Sequence, residues 1–326
     1  MKDQIITNKI INWYHINKRI LPWRKKTSKK KKQYYTLVSE FMLQQTQVST
    51  VIPYFKKFIK NIPDLETLAN INNQKLIKLW EGLGYYSRVR NLKKTAQIVV
   101  KDFNKNLPSN FLELKSLPGI GDYTASAILA IAFNKPFIPL DGNVERVLKR
   151  YLYLKKEHQI TKENLHEEKK IFGLTSRSAD YAQALMELGA LICKPNNPKC
   201  NLCPISANCI SFKKKDYVLK KIKKKNKDKY YLLKVFKKNQ KYLLIKNTQF
   251  NFLKNFNIFP MKEVIKPKNF NKDLNVKISN MSVNIKIEYG NETESTATNW
   301  IDPKNLNNYT LPTFTKKILN YLENHK

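Results

Sequence analysis

Residues 117–143, LPGIGDYTASAILAIAFNKPFIPLDGN, carry the pattern that decides the fold. The stretch opens with a turn containing Gly119 and Gly121 and continues into a small-residue helix, predicted over 124–133. Glycine lets a backbone approach another surface closely, and the N–H groups at a helix start can hold a phosphate. Asp141 then precedes a second predicted helix, 144–154. The order of turn, helix and aspartate suits a contact with a phosphate backbone, although a helix connection with an N-capping aspartate explains the same residues.

The composition favours a polyanionic partner. Sixty-one Lys and Arg against 25 Asp and Glu give a net charge of +36 over 326 residues. Nucleic acid or an acidic membrane surface would attract such a chain, although a Lys-, Asn- and Ile-rich sequence from an AT-rich genome accounts for part of the excess. The apolar run 124–133 is too short to span a bilayer, and the N-terminus has no signal-peptide core. We therefore expect a cytoplasmic protein without a membrane partner.

Two domains are expected from the length and from a change in periodicity along the chain. Residues 1–212 show helical apolar spacing without a strand pattern, and helices are predicted at 5–20, 38–52, 65–69, 74–80, 89–102, 111–116, 161–172 and 179–193. Residues 213–229 form a lysine-rich linker. The remaining residues predict an α+β domain with a hairpin of 230–236 and 241–245, a strand at 282–289 and a closing helix at 313–322.

All four cysteines lie within seventeen residues, at Cys193, Cys200, Cys203 and Cys209. Disulfides are not expected in a cytosolic chain, and four neighbouring thiolates suit either Zn²⁺ or a [4Fe–4S] cluster. Zinc sites usually contain two C-x₂-C pairs, whereas only one is present here. Unliganded core cysteines are the remaining alternative, and such crowding offers no packing reason for them.

Several stretches resemble the A/G-specific adenine DNA glycosylases of the MutY type, in the helix-hairpin-helix Gly/Pro-Asp or endonuclease III superfamily. They are LPWR (21–24), VSEFMLQQTQV (38–48), GLGYYSRVRNL (82–92), LPGIGDYTA (117–125), LDGNVERVL (140–148) and ALMELGA (184–190). The resemblance runs from about residue 5 to 212 and continues more weakly to the C-terminus. It implies an all-α glycosylase domain at 1–212, a [4Fe–4S] cluster in the loop 193–209, whose cysteine spacing is similar to that of the superfamily, and a Nudix-like α+β lesion-recognition domain at 230–326.

The resemblance also implies a reaction, the hydrolytic removal of adenine mispaired with 8-oxoguanine or G in duplex DNA, by a monomeric enzyme of base excision repair. Glu40 matches the acid that protonates the leaving adenine, and its apolar neighbours would raise its pKa. Asp141 matches the group that stabilises the oxocarbenium-like sugar, and Asn143 and Tyr123 match residues that position these groups. The remaining matches are Trp23, Arg24 and Gln183 in the adenine pocket, and Gln45, Leu83, Tyr85, Gly119, Gly121 and Ser279 as DNA contacts.

Two departures from the patterns of this superfamily bear on function. Endonuclease III places a lysine nucleophile two residues after the second glycine of the turn; Tyr123 stands there instead, so strand cleavage is not expected. An endonuclease III-like pyrimidine-lesion glycosylase and lyase, and a non-catalytic DNA-binding protein with a structural metal, remain the alternatives. In the C-terminal domain the family's Phe-Ser-His loop corresponds to Ile278-Ser279-Asn280, which keeps only the serine. We expect a weaker preference for 8-oxoguanine as a result.

Overall fold

The computed structural model describes residues 2–154, 175–219, 227–266, 269–278, 281–291 and 299–325. The chain divides into two compact units: unit 1 contains Met1–Ile71 and Ser87–Lys221, and unit 2 contains Asn72–Tyr86 and Ile222–Lys326. The sequence-based division at the lysine-rich linker puts Asn72–Tyr86 in the first domain, whereas the structure assigns this segment to unit 2. The predicted helix at 161–172 and the DNA contact Ser279 lie outside the described residues.

Helices make up the regular structure of unit 1. In chain order the helices of the described residues are α1 Lys2–Asn17, α2 Lys29–Leu43, α3 Val48–Asn61, α4 Leu65–Asn70, α5 Asn73–Trp80, α6 Ser87–Asp102, α7 Phe111–Ser116, α8 Asp122–Phe133, α9 Gly142–Tyr151, α10 Ser178–Glu187, α11 Ile210–Lys213 and α12 Thr313–Asn324. Of these, α5 and α12 belong to unit 2. None of the helices described is long and apolar enough to cross a membrane.

Side-chain caps explain where several helices begin. Ser28, Asp64, Asn110 and Asp141 each accept a backbone N–H in the first turn of the helix that follows. The prediction of one helix over 38–52 is wrong, because α2 ends at Leu43 and a turn precedes α3. The other helices predicted for the described part of unit 1 are confirmed, with ends that differ by a few residues.

Helix α8 forms the centre of unit 1. Its small residues Ala125, Ala127 and Ala130 are fully buried, and the helix packs against both α2 and α10. Small side chains let helices approach closely, so three chain segments that are far apart in sequence meet around α8. A second group of buried residues joins α1, α9 and α10. This packing brings the end of α2, the start of α8 and the start of α9 to one place.

Unit 2 contains three sheets in its described residues. The strands are β1 Lys227–Val235, β2 Lys237–Lys238, β3 Lys241–Leu243, β4 Ile245–Lys246, β5 Asn257–Ile258, β6 Met261–Val264, β7 Leu274–Ile278, β8 Met281–Tyr289 and β9 Trp300–Ile301. The largest sheet has the order β6-β1-β8-β7, with β1 parallel to β8 and the other pairs antiparallel. The other two sheets are β2-β3-β9 and β4-β5.

The prediction of a hairpin between 230–236 and 241–245 is wrong, because these two strands do not pair with each other. Strand β1 pairs with β6 and β8, whereas β3 pairs with β2 and β9. The predicted strand at 282–289 and the closing helix at 313–322 are confirmed as β8 and α12. The stripe of α12, formed by Phe314, Ile318, Leu319 and Leu322, is buried in the same core as β1 and β8.

Residues of Asn72–Tyr86 are bound within unit 2 by polar and aromatic contacts. Lys316 of α12 lies 2.7 Å from the carboxylate of Glu81, and Lys78 pairs with the same carboxylate at 2.9 Å. The rings of Tyr86 and Phe256 have their centroids 4.3 Å apart. Although burial opposes it, the two lysines hold the pKa of Glu81 below its usual range. The segment that carries Leu83 and Tyr85 is therefore part of the folded C-terminal unit.

Candidate active site

A cavity of about 500 Å³ opens in unit 1 where α2, α8, α9 and α10 meet. Its volume falls in the range typical of small-ligand sites. The sequence-predicted residues that line it are Trp23, Arg24, Glu40, Gln45, Tyr123, Asp141, Asn143 and Gln183. The structure thus brings together side chains that span 160 positions of the chain, including all four residues predicted to be catalytic.

Glu40 is the buried carboxyl group of this cavity. It lies in the last turn of α2 with 6% of its surface exposed, and its Oε2 accepts a hydrogen bond of 3.0 Å from the hydroxyl of Tyr123. Burial raises the pKa of Glu40 to about 7, and the negative charge of Asp141 adds to the increase, while the Tyr123 hydrogen bond opposes it. Burial also raises the pKa of Tyr123 well above its usual range, so the tyrosine remains a donor. Glu40 can therefore carry a proton near neutral pH.

Asp141 is the second carboxyl group and also the N-cap of α9. Its Oδ1 accepts the backbone N–H groups of Asn143 and Val144 at 3.0 and 2.7 Å, and its Oδ2 accepts the side-chain amide of Asn143 at 2.9 Å. Burial raises the pKa of Asp141, whereas these three hydrogen bonds favour its charged form. The capping interpretation and the functional interpretation of Asp141 are thus compatible, since the cap fixes where the carboxylate points.

The orientation of Asn143 depends on a contact within α9 and on one further segment, the turn that contains Gly189. Arg146 donates from Nη2 to the side-chain oxygen of Asn143 at 2.8 Å and to the carbonyl of Gly189 at 2.7 Å. Gly189 belongs to the π-helical turn Leu188–Ile192 that follows α10. A Cβ atom at Gly189 would lie 2.6 Å from the Cβ of Asn143, so only glycine fits at this position. A π-turn at such a place is common near functional sites.

An ion-pair cluster at the cavity wall was not predicted from the sequence. Glu187 has no exposed surface, and Arg19 binds its two oxygens from Nε and Nη2 at 2.8 Å each. Arg24 adds a contact of 3.0 Å to the same carboxylate. Burial would raise the pKa of Glu187, but the two guanidinium groups outweigh it and hold this pKa below the usual range. Glu187 lies in the motif ALMELGA, and a glutamate within that apolar run is the signal that could have identified it.

The two remaining predicted pocket residues form part of the wall in different ways. The ring of Trp23 packs edge-on against Phe55 at 5.3 Å and is half-buried, so it contributes an apolar surface. The side-chain amide of Gln183 donates to the carbonyl of Ala179 at 2.9 Å, which leaves its oxygen as an acceptor at the cavity. Both positions suit contacts to a planar, polar-edged ligand.

The predicted DNA contacts occupy different environments. Gln45 is exposed, lines the cavity and has a left-handed φ of 56°. Tyr85, also left-handed at 47°, is 40% exposed, whereas Leu83 is buried with 6% exposed. Gly119 has a φ of 81°, and a Cβ there would meet the ring of Phe41 at 2.8 Å. Gly121 precedes α8 as its N-cap and has open space around it, as phosphate approach requires.

All four cysteines line one small cavity of about 30 Å³ in unit 1. The buried guanidinium of Arg150 binds this loop, donating to the Cys193 thiol at 3.4 Å and to the carbonyls of Lys194, Pro195 and Tyr217 at 2.6 to 3.0 Å. The cysteines are free thiols, and burial raises the pKa of Cys203 to about 12. Four sulfur donors that face one cavity fit a bound metal group that stabilises their thiolates.

Comparisons with known proteins agree with this geometry. Residues 38–171 match the family described as "HhH-GPD superfamily base excision DNA repair protein". The chain is 39% identical over 270 residues to an adenine DNA glycosylase of Buchnera aphidicola (Schizaphis graminum), covering 80% of this chain and 76% of that protein. It is 39% identical over 211 residues to the adenine DNA glycosylase of Homo sapiens, covering 61% of this chain and 38% of that protein.

Two solved structures share the helical fold. A thermostable thymine-DNA glycosylase aligns with a TM-score of 0.57 at 26% identity, covering 65% of this chain and 97% of that one. A non-covalent endonuclease III–DNA complex aligns with a TM-score of 0.53 at 20% identity, covering 66% of this chain and 98% of that one. The match to the second is a match of fold alone.

Proposed function

Since the chain belongs to the adenine DNA glycosylase family, we propose that it hydrolytically removes adenine mispaired with 8-oxoguanine or G in duplex DNA. The observation that carries the proposal is Glu40, a buried acid with a pKa of about 7 in the same cavity as the capped carboxylate Asp141. Adenine is a poor leaving group as an anion, and a glycosidic bond breaks through an oxocarbenium-like state. The two carboxyl groups are suited to these two requirements.

The target nucleotide must leave the base stack before it can reach the cavity, at a cost of a few kcal/mol. Gln45 and Tyr85, both in strained left-handed conformations on exposed turns, are proposed to enter the duplex and separate the bases. The buried Leu83 supports the Tyr85 turn in this proposal. The turn containing Gly119 and the start of α8 bind the phosphate backbone through N–H groups.

Inside the cavity, Glu40 protonates adenine as the glycosidic bond breaks. Asp141 stabilises the positive charge that develops on the sugar, and its three hydrogen bonds keep the carboxylate oriented without a cost at the moment of reaction. Tyr123 positions Glu40, and Asn143 positions Asp141. Water completes the hydrolysis, because no amine stands at position 123 to form a Schiff base.

Recognition of the base is assigned to the cluster of Glu187, Arg19 and Arg24. Adenine presents an amino group and a ring nitrogen acceptor along one edge. The ionised carboxylate of Glu187 retains acceptor capacity for the amino group, and Arg24 lines the cavity as a donor for the nitrogen. Trp23 supplies a flat apolar wall for the ring. A base without this pair of groups along one edge would leave the acceptor and the donor that the cluster presents to the cavity without a ligand partner, and lost hydrogen bonds to charged groups are costly.

The cysteine loop is proposed to hold a [4Fe–4S] cluster through Cys193, Cys200, Cys203 and Cys209. In the residues that the structure describes, no group of three or more His, Cys, Asp or Glu side chains is drawn together to hold a single metal ion. The support for a cluster is that all four cysteines line one cavity and that only one C-x₂-C pair is present, whereas zinc sites usually contain two. When bound, the cluster supplies a structural crosslink, and Lys194 and Lys199 in its loop are available for DNA phosphates. Iron and sulfide analysis tests this assignment, and stoichiometric zinc without iron would contradict it.

The C-terminal unit is proposed to be Nudix-like and to read the base opposite adenine. Its mixed sheet ends in the antiparallel pair β7–β8, whose last described pair is Ile278 with Met281. Ile278, which stands where the family has phenylalanine, is therefore the last described residue of β7. An isoleucine stacks on a base less well than an aromatic ring does. The proposal therefore includes a preference for 8-oxoguanine over G that is smaller than an aromatic residue would give.

Duplexes that contain A:8-oxoguanine, A:G, A:T or thymine glycol test the activity. Base release and borohydride trapping are measured separately on the full chain, with Glu40→Gln as the matched inactive control. We expect adenine release from the first two duplexes and no trapped complex with any of them. Release of thymine glycol with efficient trapping would favour the pyrimidine-lesion alternative, and binding without any release would favour a non-catalytic DNA-binding protein.

A further inference from the structure

We infer that Arg88 is a positioning residue that holds Gln45 in the conformation needed to separate adenine from its partner base. The inference rests on the proposed function of the cavity and adds a residue that does not line it. Arg88 lies in the first turn of α6, and only 7% of its surface is exposed. Its Nη1 lies within hydrogen-bond distance of four oxygens: those of the Phe41 carbonyl at 3.2 Å, the Met42 carbonyl at 2.9 Å, the Gln44 carbonyl, and the Thr46 hydroxyl at 3.2 Å.

Most of these oxygens are backbone carbonyls at the C-terminal end of α2 or just after it. The last carbonyls of a helix have no partner within the helix and carry its negative dipole end. The buried guanidinium supplies both donors and positive charge to them, and in return the carbonyls compensate its burial. The end of α2 and Arg88 therefore stabilise each other, across 42 to 47 positions of the sequence.

The same contacts fix the two neighbours of Gln45. The carbonyl of Gln44 precedes Gln45, the hydroxyl of Thr46 follows it, and Arg88 binds both. Between them Gln45 has a φ of 56°, a conformation that residues other than glycine adopt at a cost. Such a conformation persists where its surroundings enforce it, and Arg88 provides that enforcement. Arg88 thus holds the exposed side chain of Gln45 at the cavity by binding the residues on either side of it.

The guanidinium binds backbone at the end of α2, so its loss should affect base separation more than proton donation by Glu40. Two predictions separate these steps. Without Arg88, a target adenine that is paired should be processed slowly, whereas a target with no partner base should be processed nearly normally. The pH at which the excision rate falls should not move, because the hydrogen bond from Tyr123 to Glu40 is intact.

The test uses the full chain and four variants. Arg88→Met removes the donors and keeps an apolar stem, Arg88→Lys keeps the charge without the planar fork, and Thr46→Val removes one acceptor. Lys101→Arg, at an exposed position in the last turn of α6, is the matched control. Single-turnover adenine release is measured on A:8-oxoguanine and on adenine opposite an abasic site. Base separation is measured by the fluorescence of 2-aminopurine at the target position, with Glu40→Gln added to each protein to prevent excision.

For Arg88→Met we expect a loss of about tenfold or more in the rate on A:8-oxoguanine, the scale of losing hydrogen bonds to a charged group. The loss should shrink to within about threefold opposite the abasic site, with a reduced fluorescence increase and an unchanged pH midpoint. Adding Gln45→Ala to Arg88→Met should cause little further loss, because both changes remove the same action. Arg88→Lys and Thr46→Val should show the same pattern with smaller losses, and they replace Arg88→Met if that variant does not fold.

Two results overturn the inference: an equal rate loss on both duplexes, or an unchanged fluorescence increase in a variant that has lost activity. In those cases Arg88 only stabilises the fold. Failure of the proposed function is a separate outcome, recognised when the unsubstituted chain and Lys101→Arg release no adenine from either duplex.

Discussion

At the scale of single residues, Glu40 connects the chemistry of the site with the stability of the fold. Its pKa of about 7 in the folded chain compares with 4.5 for an ordinary glutamate. The folded state therefore binds one proton more than the unfolded state between these pH values, and the stability of the protein falls as the pH rises through this window. The group proposed to donate a proton near neutral pH therefore also lowers the stability of the fold above neutral pH.

Replacing Glu40 tests this link. We expect Glu40→Gln to abolish adenine release and to raise the free energy of unfolding at pH 8 by up to about 3 kcal/mol, because glutamine stays neutral where the buried glutamate has to ionise. At pH 4.5 the two proteins should be close in stability. Urea denaturation at both pH values measures the difference, with the exposed Glu113→Gln as control. Equal stability of variant and parent at pH 8 would contradict a raised pKa.

Tyr123 tunes the same acid through its hydrogen bond. Its hydroxyl donates to the Glu40 carboxylate and so favours the charged form. Tyr123→Phe should raise the pKa of Glu40 further and move the alkaline fall of the excision rate to higher pH, with a lower maximum rate because the acid is less well positioned. Single-turnover rates between pH 5 and 9 are the measurement, and Tyr321→Phe in α12 is the control. A midpoint that stays in place or moves down counts against this role.

Some residues of the site could be predicted from the sequence, and others could not. Glu40 and Asp141 were assigned because each lies in a recognisable motif, and each is found in the cavity. Glu187 and Arg19 were missed because their contact joins positions 168 apart in the chain, which no local pattern encodes. Arg88 was missed for the same reason, since an arginine in a helix is ordinarily exposed and its burial is a property of the tertiary structure.

At the scale of elements, the π-helical turn Leu188–Ile192 sets the distance between α10 and the start of α9. Gly189→Ala would place a Cβ 2.6 Å from the Cβ of Asn143 and 2.9 Å from its carbonyl oxygen, so Asn143 and Asp141 would have to move. We expect a destabilisation of about 1–3 kcal/mol and a rate loss of about tenfold or more. Thermal denaturation and single-turnover rates measure the two effects.

Gly142 provides a matched control for this prediction. It lies between Asp141 and Asn143, and a Cβ there has open space within 4 Å. Gly142→Ala should therefore leave stability unchanged or slightly higher. If both glycine variants lose stability equally, the close approach of Gly189 to Asn143 is not the cause.

Element boundaries show where sequence patterns stop being informative. The apolar spacing of 38–52 continues through Gln44 to Gln47, which explains why one helix was predicted there. Helix α2 instead ends at Leu43, where Arg88 of another helix binds its last carbonyls, a contact that no local pattern shows. In unit 2 the residues that pair with β1 are 28 to 54 positions away in the sequence, so nearest-neighbour reasoning selected the wrong hairpin. By contrast, β8 shows alternating apolar residues and α12 shows helical apolar spacing, so both were predicted correctly from their own sequences.

At the scale of the whole molecule, we expect the net charge of +36 to govern the encounter with DNA. Binding of undamaged duplex should weaken by roughly 10³-fold between 50 and 200 mM salt, since each neutralised phosphate releases counterions. The excision rate of the bound complex should change little, because the cavity chemistry depends on buried groups. Fluorescence anisotropy titrations and single-turnover rates at saturating enzyme measure these quantities.

The lysine-rich linker offers a variant for the same prediction. Replacing Lys223, Lys224 and Lys225 by glutamine should reduce the slope of binding against salt and leave the rate of the saturated complex unchanged. An affinity that does not depend on salt would show that the charge excess reflects composition and has no part in DNA binding.

The assignment of Asn72–Tyr86 to unit 2 has a consequence for the order in which the protein matures during synthesis. Domains generally fold as the chain leaves the ribosome, the N-terminal parts first. The segment with Tyr85 emerges early, but its partners Phe256 and Lys316 are made more than 160 residues later. A nascent chain therefore lacks these two contacts to Tyr86 and Glu81 until Phe256 and Lys316 have been synthesised. A chain that ends just before Phe256 contains every residue assigned to catalysis and still lacks the partners that hold this segment, so the segment with Tyr85 gains these contacts only after Phe256 and α12 are made.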